Sequence, residues 1–156
     1  MGTARGQQAA ELMLVFATAF AIFLVFYAVF AQQYADSMRS QAMNEGASVA
    51  DMIAGEIDLA ARAGDGYERR ITYPTSIPGV LSYELIVNNR SGSVDISMTL
   101  GVGTQQYNYS SPTLTRNISG EQRYAVDDGF WLEIERGYAY LENDNGTISI
   151  VQMRID

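Results

Sequence analysis

From Leu12 to Ala31 this chain runs 20 residues without a charge, a glycine or a proline. As a helix that stretch spans ~30 Å, the depth of a bilayer's hydrocarbon core. The amino terminus and Arg5 are the only positive groups ahead of it. Short basic flanks stay in the cytoplasm, so the carboxy-terminal bulk is expected outside the cell. The chain has 156 residues in all, and what remains after the apolar run suffices for one small soluble domain.

Composition removes several classes of function. There is no cysteine and no histidine, and all ten basic residues are arginine. Disulfides, sulfur-ligated zinc, thiolate catalysis and a histidine base are therefore excluded. So is a Ser-Lys dyad, and no G-x-S-x-G or phosphate-binding glycine loop occurs, Gly101-Val-Gly103 being too short. The expectation is a non-enzyme without cofactor or metal. The net charge of −8 argues against nucleic acid, which needs clustered positive charge. Asp127-Asp128-Gly129 and the Glu142–Gly146 turn offer oxygen ligands, but without the spacing of a calcium loop; hairpin turns account for them better. Asn89-Arg-Ser, Asn108-Tyr-Ser, Asn117-Ile-Ser and Asn145-Gly-Thr are N-glycosylation acceptors. Seven asparagines would meet about one such triplet by chance, so four point to an external glycoprotein; the alternative is the fondness of Asn and Ser for turns.

The helix is expected to outrun the membrane. Residues 32–63 lack proline and are rich in Ala, Met, Glu, Gln and Arg. Met38, Ala42, Val49, Met52, Ile53 and Ala60 recur at spacings near three, four and seven, one buried stripe. Gly46 and Gly55 each weaken it by roughly 1 kcal/mol, and Gly64 caps it. Beyond Gly66 the period becomes two. Leu81, Tyr83, Leu85 and Val87 make one strand, and Val94, Ile96, Met98 and Leu100 the next, joined by the Asn88–Gly92 turn. Short strands are expected at Tyr107–Tyr109 and Trp131–Glu135, the latter with Glu133 and Glu135 on one face. Tyr138–Glu142 and Thr147–Met153 form a last hairpin about Asn145-Gly146. The fold class is α+β: a long amino-terminal helix (7–65, apolar over 12–31), then a small antiparallel β-sheet or sandwich domain (66–156) packed on the helix's distal half.

Two constellations in the helix carry function. Glu11 is the only early acid, and a carboxylate forced deep into lipid costs about 2.5 kcal/mol or more. At a helix start the macrodipole offsets part of that; the alternative is a glutamate reaching to headgroups. Phe16, Phe20, Phe23, Tyr27, Phe30 and Tyr34 recur at spacings of four and three, a 3.5-residue seam. Ala10, Ala17, Ala21, Ala28, Ala31 and Ala35 lie beside them, and small residues let apolar helices approach closely. Rings packing into alanine grooves of neighbouring copies is one reading; lipid-facing rings with an interfacial Tyr27 and Tyr34 is the other.

Arg5, Gly6, Gln7, Ala9 and Glu11 ahead of the apolar run resemble the class III signal peptide of archaeal type IV pilins, although a serine often stands there in place of Ala9. The resemblance covers Met1 to about Tyr34. It implies a leader of residues 1–6, cut between Gly6 and Gln7 by a prepilin peptidase. It implies membrane insertion before assembly, then homopolymerisation through the amino-terminal helices by an assembly ATPase and a membrane platform protein. It implies a surface filament with a helical core, and pairing of Glu11 with the new amine at Gln7 of a neighbour. Related archaellins generally lack the glutamate. A minor or anchored pilin-like protein is one alternative. An ordinary secreted domain is another, but its signal would have a shorter apolar region and no Glu11.

Overall fold

The computed structural model describes residues 3–101, 105–121 and 125–152; Met153, where the last strand was expected to end, and Val102–Gly103 lie outside that range. It is an α+β protein. Among the described residues one helix, α1 (Thr3–Ala63), precedes nine strands: β1 (Glu68–Thr72), β2 (Val80–Asn88), β3 (Ser93–Leu100), β4 (Gln106–Pro112), β5 (Ile118–Gly120), β6 (Ala125–Val126), β7 (Gly129–Leu132), β8 (Tyr138–Asp144) and β9 (Thr147–Val151). The chain divides into two compact units inside α1. The first ends at Met38 and the second begins at Arg39.

In the second unit α1 buries Ala42, Gly46, Val49, Ala50, Ile53, Ala54, Ile57 and Ala60, spacings that hold one face of a 3.6-residue helix. Met52, expected on this stripe, is 39% exposed, because it lies about 100° around the helix from Ile53. Gly46 is an inward notch, where a Cβ would overlap the Sδ of buried Met98. Gly55 faces out, and a Cβ there would meet nothing within 4 Å. The helix ends at Gly64, whose φ of 85° suits a residue without a Cβ, and whose N–H reaches Ala60 O. Buried Asn143 holds this end: its Nδ2 donates to Ala60 O at 2.8 Å, and its Oδ1 accepts Gly146 N–H at 3.0 Å.

The strands form two sheets, ordered β1-β8-β9-β5 and β4-β3-β2-β7-β6. Their alternation turns Leu85, Val87, Val94, Ile96, Met98, Leu141, Ile148 and Ile150 into one apolar cluster with the α1 face. The expectation of an all-antiparallel domain needs correction: β5 pairs with β9 in parallel, Ile118 opposite Ile148. Leu81 was expected in the core and is 67% exposed. The β2–β3 register slips there, Val80 facing Leu100 and Ser82 facing Thr99, so Leu81 is the unpaired residue of a bulge. The strand expected to reach Glu135 stops at Leu132, and residues 134–136 form a 3₁₀ turn, so Glu133 and Glu135 do not share a strand face. The cause is local. Glu133 N–H donates to Gln152 Oε1 at 2.7 Å, and its carbonyl accepts from Gln152 Nε2 and the Tyr73 hydroxyl, at 3.0 and 3.1 Å. Those bonds replace the ladder bonds of a continuing strand, and Gly137, at φ 67°, closes the turn.

Burial pushes the Tyr73 and Tyr83 phenols upward, Tyr83 to about 12, since a charged phenolate loses its hydration there. Tyr83 donates to Pro74 O, and Tyr73 sits in the knot around Gln152.

Candidate functional site

Two regions carry the residues singled out from sequence. The first is the helix of the first unit. Every described side chain from Gln7 to Tyr34 is exposed, with Leu12 at 59%, Phe16 at 66% and Tyr34 at 70%. It holds a window of mean hydropathy 2.6, none of it buried, long and apolar enough to cross a membrane. Apolar surface of that extent does not stay in water. The Gly6–Gln7 bond lies within α1. Met1 and Gly2 fall outside the described residues, as do the side chains of residues 3–6, including Arg5 and Gly6.

The helix presents two distinct faces. At 100° per residue, Phe16, Phe20, Phe23, Tyr27, Phe30 and Tyr34 fall within about 80° of one another. Phe23 and Tyr27 stack, their centroids 6.4 Å apart. Gln7 and Glu11 lie about 140–180° from that line, with Gln7 Nε2 donating to Glu11 Oε1 at 3.5 Å, one helical turn apart. On this second face are two shallow apolar recesses. One is lined by Leu14, Val15, Thr18, Ala19 and Ile22, the other by Ala21, Ile22, Val25 and Phe26. Thr18 Oγ1 donates back to Leu14 O at 2.8 Å, which hides its hydroxyl and leaves its methyl as lining.

Sequence reasoning singled out the rings and Glu11, and set an alanine line beside the rings as one reading of their packing. Of that line only Ala21 borders either recess. Val15, Thr18, Ala19 and Ile22 have the i, i+3, i+4, i+7 spacing of a hole for a neighbour's side chain. The signal present in the sequence was the small pair Thr18-Ala19 between bulkier residues.

The second region is the outer surface of the β domain. All four sequon asparagines are exposed, but their amides differ. Asn117 Nδ2 donates to Gly146 O at 2.9 Å and to Thr147 Oγ1 at 3.0 Å. Thr147 is the hydroxyl residue of the Asn145 sequon, so these two sequons are tied to each other. Asn145 takes the left-handed φ of 51° at the hairpin tip, and its Nδ2 donates to Asp144 Oδ1 at 2.8 Å. Asn89 and Asn108 show no side-chain bond of this kind. Asn108 stands at the rim of an open groove on β2, β3 and β4, lined by Glu84, Ile86, Asp95, Ser97 and Ser110 among others.

The acidic turns are used structurally. In the first, Asp128 pairs with Arg90 at 2.9 Å; in the second, Asp144 Oδ1 accepts from Asn145 Nδ2 and Asn143 Oδ1 from Gly146 N–H. Among the described residues no three metal-ligating side chains come together. No known family model, curated protein or solved structure matches this chain.

Proposed function

We propose that this chain is the structural subunit of a surface filament of the archaeal type IV pilin kind. In this reading the leader is removed between Gly6 and Gln7. The subunit rests in the membrane through residues 12–31, with its β domain outside. It then polymerises through its amino-terminal helix, served by an assembly ATPase and a membrane platform protein.

The observation that carries the reading is the placement of knobs and holes on opposite faces of one unpartnered helix. Six rings line one face, and the recesses that share Ile22, bordered by Thr18 and Val25, lie on the other. When the rings of one copy enter the recess of a second, the rings of the second remain free for a third. Such head-to-tail contacts propagate an open polymer unless the rotation closes a ring. A helix with rings and holes on the same face would pair once and stop. Glu11 shares the recess face, so the ring face of a neighbour brings no acid towards it. The β domain suits a coat: it is acidic overall, closes on a core shared with residues 49–60 of α1, and bears four exposed sequon asparagines.

The test is mass spectrometry of the amino-terminal peptide from material sheared off the surface of native cells. A start at Gln7 in abundant sheared protein is the expected result. A start at Gln32 in the medium would overturn the reading in favour of a secreted domain. An intact leader confined to membranes would replace the filament with an anchored protein that does not assemble.

A further inference from the structure

The groove on the five-stranded sheet has a built relation to one sequon. Register places Ile86, Asp95 and Ser110 in one row across β2, β3 and β4, and Glu84, Ser97 and Asn108 in the next. Trp131 continues the first row on β7, beside Ile86. One end of the surface is therefore apolar and the other is hydroxyl, amide and carboxylate. A sugar ring has the same division, with C–H faces and an O–H rim. Asp95 Oδ1 accepts from Ser93 Oγ at 2.9 Å and from Ser110 Oγ. Those bonds fix the carboxylate across the floor and leave its second oxygen for a ligand hydroxyl. The open groove offers about 700 Å³, comparable to small-ligand clefts.

We propose that Asn108 is an N-glycan acceptor whose proximal sugars lie in this groove, and that Asn117 and Asn145 remain bare. The inference rests on the β domain lying outside the cell, which belongs to the proposed function, and not on assembly. Glycan transfer needs an amide nitrogen that can be presented on an extended chain. Asn108 meets that need: it is exposed, and β4 is an edge strand of its sheet. Transfer forms the bond between Asn108 Nδ2 and the sugar's C1, and breaks the bond between C1 and the phosphate oxygen of a lipid-linked sugar donor. The amide proton passes to a base of the transferring enzyme, and the lipid phosphate leaves. Asn117 fails the same test. Its Nδ2 already donates to Gly146 O and Thr147 Oγ1, and the next residue, Ile118, is buried against β9. The Thr147 hydroxyl that the Asn145 sequon requires is held by that same amide. Once transferred, the Asn108 glycan is tethered at the groove's rim, and this raises its local concentration enough for weak contacts to hold it.

The arginines at 70, 90, 116, 123, 136 and 154 place each sequon asparagine on its own tryptic peptide. Native sheared protein digested with trypsin should carry glycan on the peptide ending at Arg116 and none on the peptides holding Asn117 or Asn145. A bare Asn108 in protein that starts at Gln7 overturns this inference and leaves the filament reading intact. Glycan on Asn117 overturns it as well. The seat is read by hydrogen exchange, comparing the glycoprotein with Asn108→Gln and with Ser110→Ala, which removes the sequon by a second route. Both variants should lose protection at the β4 edge amides. Unchanged exchange in both overturns the seating of the sugars.

Discussion

Gly46 and Gly55 are nine residues apart on one helix, and alanine should act on them in opposite directions. Removing a helix-interior glycine is worth about 1 kcal/mol in favour of the helix. At Gly55 nothing opposes that gain, because the new methyl points into open space; Gly55→Ala should stabilise the second unit by about 0.5–1 kcal/mol. At Gly46 the methyl would occupy the volume of Met98 Sδ and Cε, and Met98 is fully buried with Ile96 Cδ1 alongside. Forcing an extra carbon into a filled core costs about 1–3 kcal/mol. The net for Gly46→Ala is then zero to about 2 kcal/mol of destabilisation, and the gap between the two variants is about 1–3 kcal/mol. The assay is denaturant unfolding of the full chain in mild detergent, followed by the fluorescence of Trp131, the single tryptophan. Shortening Met98 to Val should rescue Gly46→Ala relative to its effect on the parent, a coupling of opposite sign to the single costs. Equal stability of the two alanine variants, or the absence of that rescue, would refute the notch.

Cysteine is absent from the chain, so cross-linking reads the helix faces cleanly. Phe23→Cys with Thr18→Cys in one chain should give ladders of oxidised oligomers, whereas either alone should give little; dimers from the single ring-face variant would contradict head-to-tail packing. Stability should fall as pH rises above about 10. The unfolded Tyr83 phenol ionises near 10, while the folded one holds its proton to about 12, so the unfolded state is favoured through that window. Tyr83→Phe should be less stable below pH 10, having lost its bond to Pro74 O, yet decline less steeply above it, and thermal melts at pH 8 to 11 decide this. Asn143→Ala should cost about 1–3 kcal/mol, since Gly146 N–H loses its partner and Ala60 O keeps only the longer bond from Gly64 N–H; hydrogen exchange at Gly64 and Gly66 should quicken first.

Periodicity carried most of what the sequence disclosed. The apolar run, the long helix, the β2–β3 hairpin and the Asn145-Gly146 turn were each legible, because each is decided by neighbours in the chain. The misses depend on partners far away. Leu81 reads as a core residue by alternation, and only the slip between β2 and β3 turns it out. The strand after Trp131 ends early because Gln152 and Tyr73 capture Glu133. β5 is three residues long, too short for a period, and exists through its pairing with β9. At the candidate sites, the ring seam and the sequons were visible as patterns. The recess face was not, since a hole is defined by what surrounds it. Nor could spacing show that Asn117 spends its amide on the turn of another sequon.

The order of strands in the four-stranded sheet has a consequence for how the protein is made. β1 leaves α1 first but pairs with β8, and β9, the last strand, is interior to the sheet. Residues 68–72 must therefore wait for some seventy more residues to emerge before finding their neighbour, a closure of high sequence separation and correspondingly slow. During that wait the face of Val49, Ile53 and Ile57 has only the five-stranded sheet's early strands to cover it. The apolar run, by contrast, is complete 37 residues before β1 begins. Under the proposed function, delivery to the lipid thus precedes folding of the domain. A late lesion in β9, such as a charge at Ile148 or Ile150, should leave α1 formed and the domain open; under the proposed function such a chain would be inserted in the membrane but exposed to proteolysis before assembly.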